Sequence, residues 1–141
     1  MLRIVIDTSV LATSVRSRQG ASFALLQAVA RRQVVALATP PLFLEYEDVL
    51  KRADQRQVSG MTLAQVDALL EELAAILEPV DVRLTWRPQL RDPGDEMVFE
   101  AAINGRADAL VTYNVRDFAA AAPRFGVRIA RPVDMLREMR P

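Results

Sequence analysis

The sequence predicts an α/β fold: a three-layer α/β/α sandwich around a mostly parallel sheet of about five strands. Short apolar runs such as LRIVI (2–6) and VVALA (34–38) are typical of strands that are covered on both faces. Longer segments with apolar residues at helical spacing alternate with these runs. Strands that alternate with helices need crossover connections, which produce parallel pairs. Because the 141 residues contain no repeat, linker or low-complexity segment, we expect residues 1–141 to form a single domain.

The N-terminal half predicts two strands and three helices. Pro40 and Pro41 end the second apolar run and suit the first turn of a helix. The polar segment QRQVSG (55–60) separates two helices, and Thr62 is of the residue type that caps a helix N-terminus. The predicted order is a strand over 2–6, a helix over 20–33, a strand over 34–38, and helices over 41–54 and 62–79.

The C-terminal half predicts the remaining strands and helices. The segment RPQLRDPGDE (87–96) is rich in proline and acidic residues, so it is the least regular part of the chain. Gly105 lies near the end of the helix that follows. The predicted order is a brief edge strand over 80–84, a helix over 96–107, a strand over 108–114, a short helix over 117–122, a strand over 127–129 and a closing helix over 132–139.

Composition excludes several classes of protein. With 51% apolar residues the chain is not disordered, and no apolar run approaches the roughly 20 residues that cross a bilayer. Since no basic leader precedes the short N-terminal apolar stretch, we expect a soluble cytoplasmic protein without a signal peptide. The chain has no cysteine and no histidine, which excludes disulfides, thiolate metal sites and the usual base at neutral pH. Catalysis must then use carboxylates, hydroxyls, basic residues or a hard metal ion.

The charge balance does not by itself indicate a nucleic-acid partner. The chain has 18 basic and 18 acidic residues, and Lys51 is its only lysine. Arginine suits bidentate contacts with phosphate. A bias toward arginine is equally compatible with genome composition, so the sequence leaves both explanations open.

Two carboxylates of the N-terminal half occupy unusual positions. Asp7 ends the first strand, and open parallel sheets place their ligand sites beyond the carboxyl ends of the strands. Glu45 lies three residues after Leu42 and four before Val49, so helical geometry places it on the apolar face. Capping of the next turn would also explain Asp7. A salt bridge with an arginine would also explain Glu45.

The segment DPGDE and the strand after it supply further acids. Asp95 precedes Val98 and Phe99 by three and four residues, so it shares the inward face of its helix. Glu96 is turned about 100° away, and we expect Glu96 and Asp92 to assist Asp95. Asp117 follows the strand over 108–114. The helix dipole would also explain the acids of DPGDE, and an N-cap would also explain Asp117.

Together these four acids, Asp7, Glu45, Asp95 and Asp117, predict a metal site. All four are placed at strand ends or on helix faces that converge on one edge of the sheet. Gathered carboxylates repel one another unless a cation neutralises them. Oxygen ligands without histidine or cysteine select Mg²⁺ or Mn²⁺, which bind phosphates and lower the pKa of bound water.

The ordered set of segments resembles the PIN-domain ribonucleases over essentially the whole chain. IVIDTSVLATSV resembles the opening strand and first acid of that family, and Glu45 falls where its second acid does. DEMVFEAAINGRADALVTYNVRDF resembles its third segment. The resemblance implies a five-stranded parallel sheet, cleavage of RNA with Mg²⁺ or Mn²⁺, and a kinship with VapC-type toxins. Such toxins are inhibited by a cognate antitoxin and frequently form homodimers.

The resemblance also implies roles for individual residues. Asp7, Glu45, Asp95 and Asp117 would be the metal-binding acids. Ser9 and Thr112 match supporting hydroxyl positions. Asn114 departs from the pattern, because many members carry an acid there, so Asp117 must serve as the fourth acid. Substrate choice would come from loops such as SVRSRQG (14–20), with Arg16, Arg18 and Arg116 as candidate phosphate contacts.

Other functions are compatible with parts of this pattern. A haloacid-dehalogenase-like phosphohydrolase also begins with a strand that ends in aspartate, but it uses a second aspartate where Ser9 stands. A receiver domain would need an adjacent acid pair near the first strand and a lysine after a late strand. A catalytically weak module that binds RNA or protein would have no use for four acids. The sequence therefore favours a metal-dependent endoribonuclease.

Overall fold

A five-stranded parallel sheet forms the centre of the computed structural model, which describes residues 1–84, 90 and 92–139. The strands lie in the order β3-β2-β1-β4-β5, and every neighbouring pair is parallel. This architecture confirms the predicted fold class. The strands are β1 (Arg3–Ile6), β2 (Val35–Ala38), β3 (Glu78–Pro79), β4 (Ala109–Val111) and β5 (Ile129–Ala130).

Helices connect the strands and cover the sheet. Thr39 caps α3 by accepting a hydrogen bond from the Leu42 amide. Thr62 and Gln65 form a reciprocal capping box at the start of α5, which confirms the predicted N-cap. The helices are α1 (Thr8–Ser14), α2 (Ala21–Ala30), α3 (Pro40–Lys51), α4 (Ala53–Ser59), α5 (Leu63–Ile76), α6 (Pro93–Asn104), α7 (Val115–Ala119) and α8 (Pro132–Met139), and a 3₁₀ turn spans Ala122–Phe125.

The core lies on both faces of the central strands. Ile4 and Val5, which point to opposite faces of β1, are both fully buried, as is all of β4. The Tyr46 hydroxyl on α3 donates a hydrogen bond to the carbonyl of Ile6, the last residue of β1. Burial, and then the charge of Asp7, raise the pKa of Tyr46. The carboxyl end of β1 is therefore held in place by a buried side chain of a packed helix.

Several predicted boundaries were wrong. Residues 55–59 of the polar segment belong to α4, and Gly60 caps the end of that helix. The buried residue of α4 is the polar Gln55, so the segment lacks an apolar face that the sequence could reveal. Helix α1 was not predicted, because its apolar residues continue those of β1 and give no separate periodicity. The edge strand is Glu78–Pro79 and not 80–84. Smaller shifts place β4 at Ala109–Val111, α7 at Val115–Ala119 and β5 at Ile129–Ala130. Residues 87–89 and 91 of the segment predicted to be irregular lie outside the described residues.

Close packing fixes the end of α6 against the sheet. A Cβ at Gly105 would lie 2.9 Å from both the Ala101 carbonyl oxygen and Leu37 Cδ1. Only glycine fits this approach to β2 without displacement. In the described part of the chain, no helix is long and apolar enough to cross a membrane.

Candidate active site

The site lies where the strand order reverses. The connection from β1 leads to β2 on one side, whereas the chain returns to β4 on the other side of β1. Ligands of open parallel sheets bind beyond the carboxyl ends of the strands at such a switch point. Asp7 follows β1 and Thr112 follows β4, so these two residues face each other across this position.

Asp7 is buried, with 4% of its surface exposed, and two hydroxyl groups hold its carboxylate. Thr112 Oγ1 donates to Asp7 Oδ2 at 2.6 Å, and Ser9 Oγ donates to the same oxygen at 3.0 Å. The backbone amide of Asn114 donates a hydrogen bond to Thr112 Oγ1 at 2.9 Å, which directs the hydroxyl proton of Thr112 toward Asp7. Although Asp7 stands at the N-cap position of α1, its side chain makes no capping bond. Capping therefore does not account for Asp7.

Asp95, on the first turn of α6, carries the largest perturbation among the acids at this edge. Burial, and after it the charges of Asp7, Asp92 and Asp117, together raise the pKa of Asp95 to about 7. The electrostatic effect of these acids shows that they lie near Asp95. The structure thus brings together acids from β1, from α6 and from the segment after β4.

Glu45 approaches the same region from α3. Its pKa is raised by burial and then by Asp48, while Arg52 lowers it and Asp92 and Asp7 raise it. A Cβ placed on Gly94 would lie 3.4 Å from Glu45 Oε1 and 3.1 Å from Asp92 Oδ1, so both carboxylates border Gly94. Within the described residues no ion pair involves Glu45, and Arg52 pairs with Asp48 instead.

The acids at the start of α6 divide into different structural roles. Asp92 caps the helix by accepting a hydrogen bond from the Gly94 amide at 2.7 Å. Glu96 is 5% exposed, and its Oε1 accepts a hydrogen bond from the Leu90 amide at 2.7 Å. Asp95 is therefore the residue of DPGDE whose carboxylate faces the other acids with no structural bond of its own among the described residues.

Asp117 differs from its predicted position. It lies inside α7 and is exposed, whereas Asn114 is the residue before the helix, so Asp117 is not the N-cap. Its charge reaches Asp95. Across residues 1–84, 90 and 92–139, no three acidic side chains are already arranged to hold a metal ion.

The three candidate phosphate-binding arginines have different environments. Arg16 donates from Nε to Gln55 Oε1 at 2.9 Å, and its Nη2 contacts the same oxygen. Because Gln55 is buried and donates to the Ala12 carbonyl, Arg16 is tied to α4. Arg18 lines a cavity of about 330 Å³ beside Phe23. Arg116 is exposed on α7, next to Asp117.

Two tyrosines at the site were not predicted. Tyr46 fixes the end of β1, and Tyr113 lies between Thr112 and Asn114 with its hydroxyl hydrogen-bonded to Ser22. The signal for Tyr46 was its position beside Glu45 on the apolar face of α3. For Tyr113 the only signal was its position next to Thr112.

Comparison with known proteins places this geometry in a family. A sequence profile described as "PIN domain" matches residues 3–116. The chain belongs to the PIN-domain family. The site geometry lies within the matched region except for Asp117, which follows it by one residue. PIN domains are generally nucleases, and the recognition made from the ordered acidic segments is confirmed.

A solved structure has the same PIN-domain fold. The crystal structure of VapBC2 from Rickettsia felis, bound to a DNA fragment from its promoter, includes a chain that superposes with a TM-score of 0.60. The two chains are 14% identical, and the match covers 92% of this chain and 98% of that one. No curated protein sequence matches this PIN domain.

Proposed function

We propose that this PIN domain is a metal-dependent endoribonuclease that hydrolyses RNA phosphodiester bonds with Mg²⁺ or Mn²⁺. The observation that carries the proposal is Asp7, which is buried at the switch point of the sheet and held there by Ser9 and Thr112. Acids from two other parts of the chain face it. A buried, oriented carboxylate with other carboxylates near it supports a cation site, because burying such charges without a compensating partner is costly.

The residues present fit a hard divalent ion. The donors are oxygens only, which Mg²⁺ and Mn²⁺ prefer, and Asp7, Glu45, Asp95 and Asp117 form no ion pair within the described part of the chain. When bound, such an ion would neutralise these charges, polarise the phosphate and lower the pKa of an attacking water. Asp7, Glu45, Asp95 and Asp117 would hold it, with Asp92 and Glu96 at the margin.

The chain's own residues would orient the first ligand. Thr112 and Ser9 both donate to Asp7 Oδ2, and in the described residues no donor reaches Oδ1. The Asn114 amide fixes the Thr112 hydroxyl. Such partners keep a ligand in one rotamer and typically change metal affinity or activity by about 10–100-fold. Asn114 would therefore act through its backbone.

We further propose that the protein is the toxin of a type II toxin–antitoxin pair and acts in the cytoplasm. Membership of the PIN-domain family and the likeness in fold to a chain of the VapBC2 complex support this role. A cognate antitoxin protein and a homodimeric state belong to the same proposal. The partner would inhibit cleavage when it covers the acidic edge.

Cleavage of RNA by purified protein tests the proposed activity. Total RNA and a tRNA pool are incubated with Mn²⁺, Mg²⁺ or EDTA, using the wild type, Asp7→Asn and the control Asp134→Asn, which changes an exposed acid on the first turn of α8. We expect metal-dependent cuts that Asp7→Asn reduces at least about 100-fold and Asp134→Asn leaves unchanged. Circular dichroism checks that both variants fold.

Three results would contradict the proposal in different ways. Full activity of Asp7→Asn would exclude Asp7 as the essential acid. Equal cleavage in EDTA would exclude the metal. RNA binding without metal dependence and without cleavage would support the alternative of a catalytically weak binding module.

A further inference from the structure

Tyr113 is an exposed aromatic residue next to the acidic site. It directly follows Thr112, and 41% of its surface is exposed. In the described part of the chain no other aromatic side chain is exposed to this degree. The other aromatic rings of the described residues are half-buried or buried: Phe23, Phe43, Tyr46, Phe99, Phe118 and Phe125.

The Tyr113 side chain is restrained at its backbone and at its hydroxyl group. Its backbone follows β4 at the switch point, and its hydroxyl shares a hydrogen bond with Ser22 Oγ on the first turn of α2. Ser22 is 1% exposed, so the anchor is itself part of the packed protein. An anchored ring loses little conformational freedom when a ligand packs against it, because its torsions are already restricted.

The position of the ring relates it to the reacting phosphate. One peptide unit, about 3.8 Å between Cα atoms, separates Tyr113 from Thr112, whose side chain contacts Asp7. A phosphodiester that reaches Asp7 carries nucleotides on either side. The hydrogen bond with Ser22 directs the Tyr113 side chain toward α2.

Because the site is acidic, an uncharged contact with RNA would contribute to binding where the phosphates are repelled. Asp7, Asp95 and the neighbouring acids repel phosphates, and the whole chain has a net charge of zero. Stacking of bases on aromatic rings does not depend on opposite charge and accepts every base. Such a contact could hold single-stranded RNA where electrostatic attraction is weak.

We propose that the exposed face of Tyr113 stacks a nucleobase next to the scissile phosphate of single-stranded RNA. This subsite rests on the proposed ribonuclease function and adds to it the element that positions the RNA strand. The ring recognises a base as an aromatic plane, so the subsite favours unpaired nucleotides over duplex.

Binding of a base-containing and a base-free oligomer tests the subsite. The probes are a fluorescein-labelled ten-nucleotide oligo(A) and an abasic oligomer of the same length, measured by anisotropy in EDTA, and again with Mg²⁺ in the Asp7→Asn background. The variants are Tyr113→Leu, which removes the ring, and Tyr113→Phe, which keeps it. Val133→Ala, at a similarly exposed position on α8, is the control.

We expect the wild type, Tyr113→Phe and Val133→Ala to prefer oligo(A) over the abasic oligomer. Tyr113→Leu should reduce that preference about tenfold while binding the abasic oligomer as the wild type does. A purely structural role would weaken both oligomers equally. A wild-type protein that does not distinguish the two oligomers, or a folded Tyr113→Phe variant that does not distinguish them, would overturn the proposal even if Tyr113→Leu fails to fold.

Cleavage and base-dependent binding separate this subsite from the ribonuclease proposal. Loss of the preference in Tyr113→Leu, with no cleavage by the wild type, would retain the base subsite and reject hydrolysis. If metal-dependent cleavage is lost in Asp7→Asn but Tyr113→Leu changes neither cleavage nor the preference for oligo(A), the ribonuclease proposal stands and the stacking contact is rejected.

Discussion

Asp95 shows at the scale of one residue how a cluster of acids opposes stability. Its carboxyl is half-buried and surrounded by acids, which raises its pKa to about 7. Below the pKa of the unfolded state, near 3.8, the carboxyl is protonated in both states. Between that pH and about 7 the folded protein holds a proton that the unfolded chain has released, so rising pH destabilises the fold.

This linkage predicts that Asp95→Asn stabilises the metal-free protein at pH 8 but not at pH 4. After allowance for screening by solvent at a half-exposed site, the gain should be on the order of 1 kcal/mol. Thermal unfolding in EDTA at both pH values measures it. Asp134→Asn serves as the control, since it removes an acid from the first turn of α8. If the wild type were as stable as Asp95→Asn at pH 8, the charged form of Asp95 would not be destabilised by burial and by the neighbouring acids.

Individual site residues could be predicted to different degrees. The positions of Asp7 and Asp95 at one edge of the sheet could be predicted, because strand ends and helix faces can be derived from apolar spacing. The separate structural bonds of Glu96 and Asp92 could not, since they depend on where the chain before α6 lies. Asp117 was wrongly considered as a cap because the start of α7 was placed two residues late.

Gly94 matters at the scale of the helix, because it leaves space at the N-terminus of α6. Alanine there would bring a Cβ to 3.4 Å from Glu45 Oε1 and 3.1 Å from Asp92 Oδ1. The Asp92 carboxylate would have to shift by a few tenths of an ångström, whereas the contact with Glu45 would be an ordinary van der Waals contact. The helix itself favours alanine over glycine by about 1 kcal/mol.

We therefore expect Gly94→Ala to lower metal affinity and RNA cleavage without lowering the unfolding temperature. Titration calorimetry with Mn²⁺ and thermal unfolding in EDTA measure the two effects. Gly105→Ala is the contrasting variant, because its Cβ would press on the backbone of α6 and on Leu37, and it should cost about 1–3 kcal/mol of stability. Unchanged Mn²⁺ affinity in Gly94→Ala would show that metal binding does not need the observed position of Asp92.

Elements with strong local signals were predicted closely, and others were not. The capping box fixed the start of α5, and the predicted helix over 132–139 coincides with α8. Helix α4 buries a glutamine, and β3 pairs through two residues with exposed side chains. Their stability comes from neighbours distant in sequence, which a local pattern does not contain.

At the scale of the whole molecule, the order of the strands creates the site. Alternation of strands and helices predicted parallel pairing, but it did not specify that β4 lies beside β1. That pairing places Thr112 against Asp7 across 105 positions of sequence. The switch point became known only from the folded sheet.

The residues of the proposed metal site come together only in the folded protein, so an ion that binds there should stabilise the fold. A ligand at 100 times its dissociation constant adds about 2.7 kcal/mol, which is roughly 9 °C in a domain of this size. We expect Mg²⁺ or Mn²⁺ to raise the unfolding temperature at constant ionic strength, with little effect on Asp7→Asn. Equal shifts in both proteins would show that the ions act outside the proposed site.

The short outer strands also govern how copies of this chain can meet. The backbone amide of Val80 donates a hydrogen bond to the Ala38 carbonyl of the neighbouring strand β2. Because backbone amides alternate in direction along a strand, the nitrogen of residue 79 points to the open edge of the sheet. That residue is Pro79, which has no amide hydrogen to donate to another strand. The opposite outer strand, β5, has only two residues. Neither border can readily template a foreign strand, which protects a concentrated protein from fibril-like stacking. Two copies would then associate through helices and not by extending the sheet.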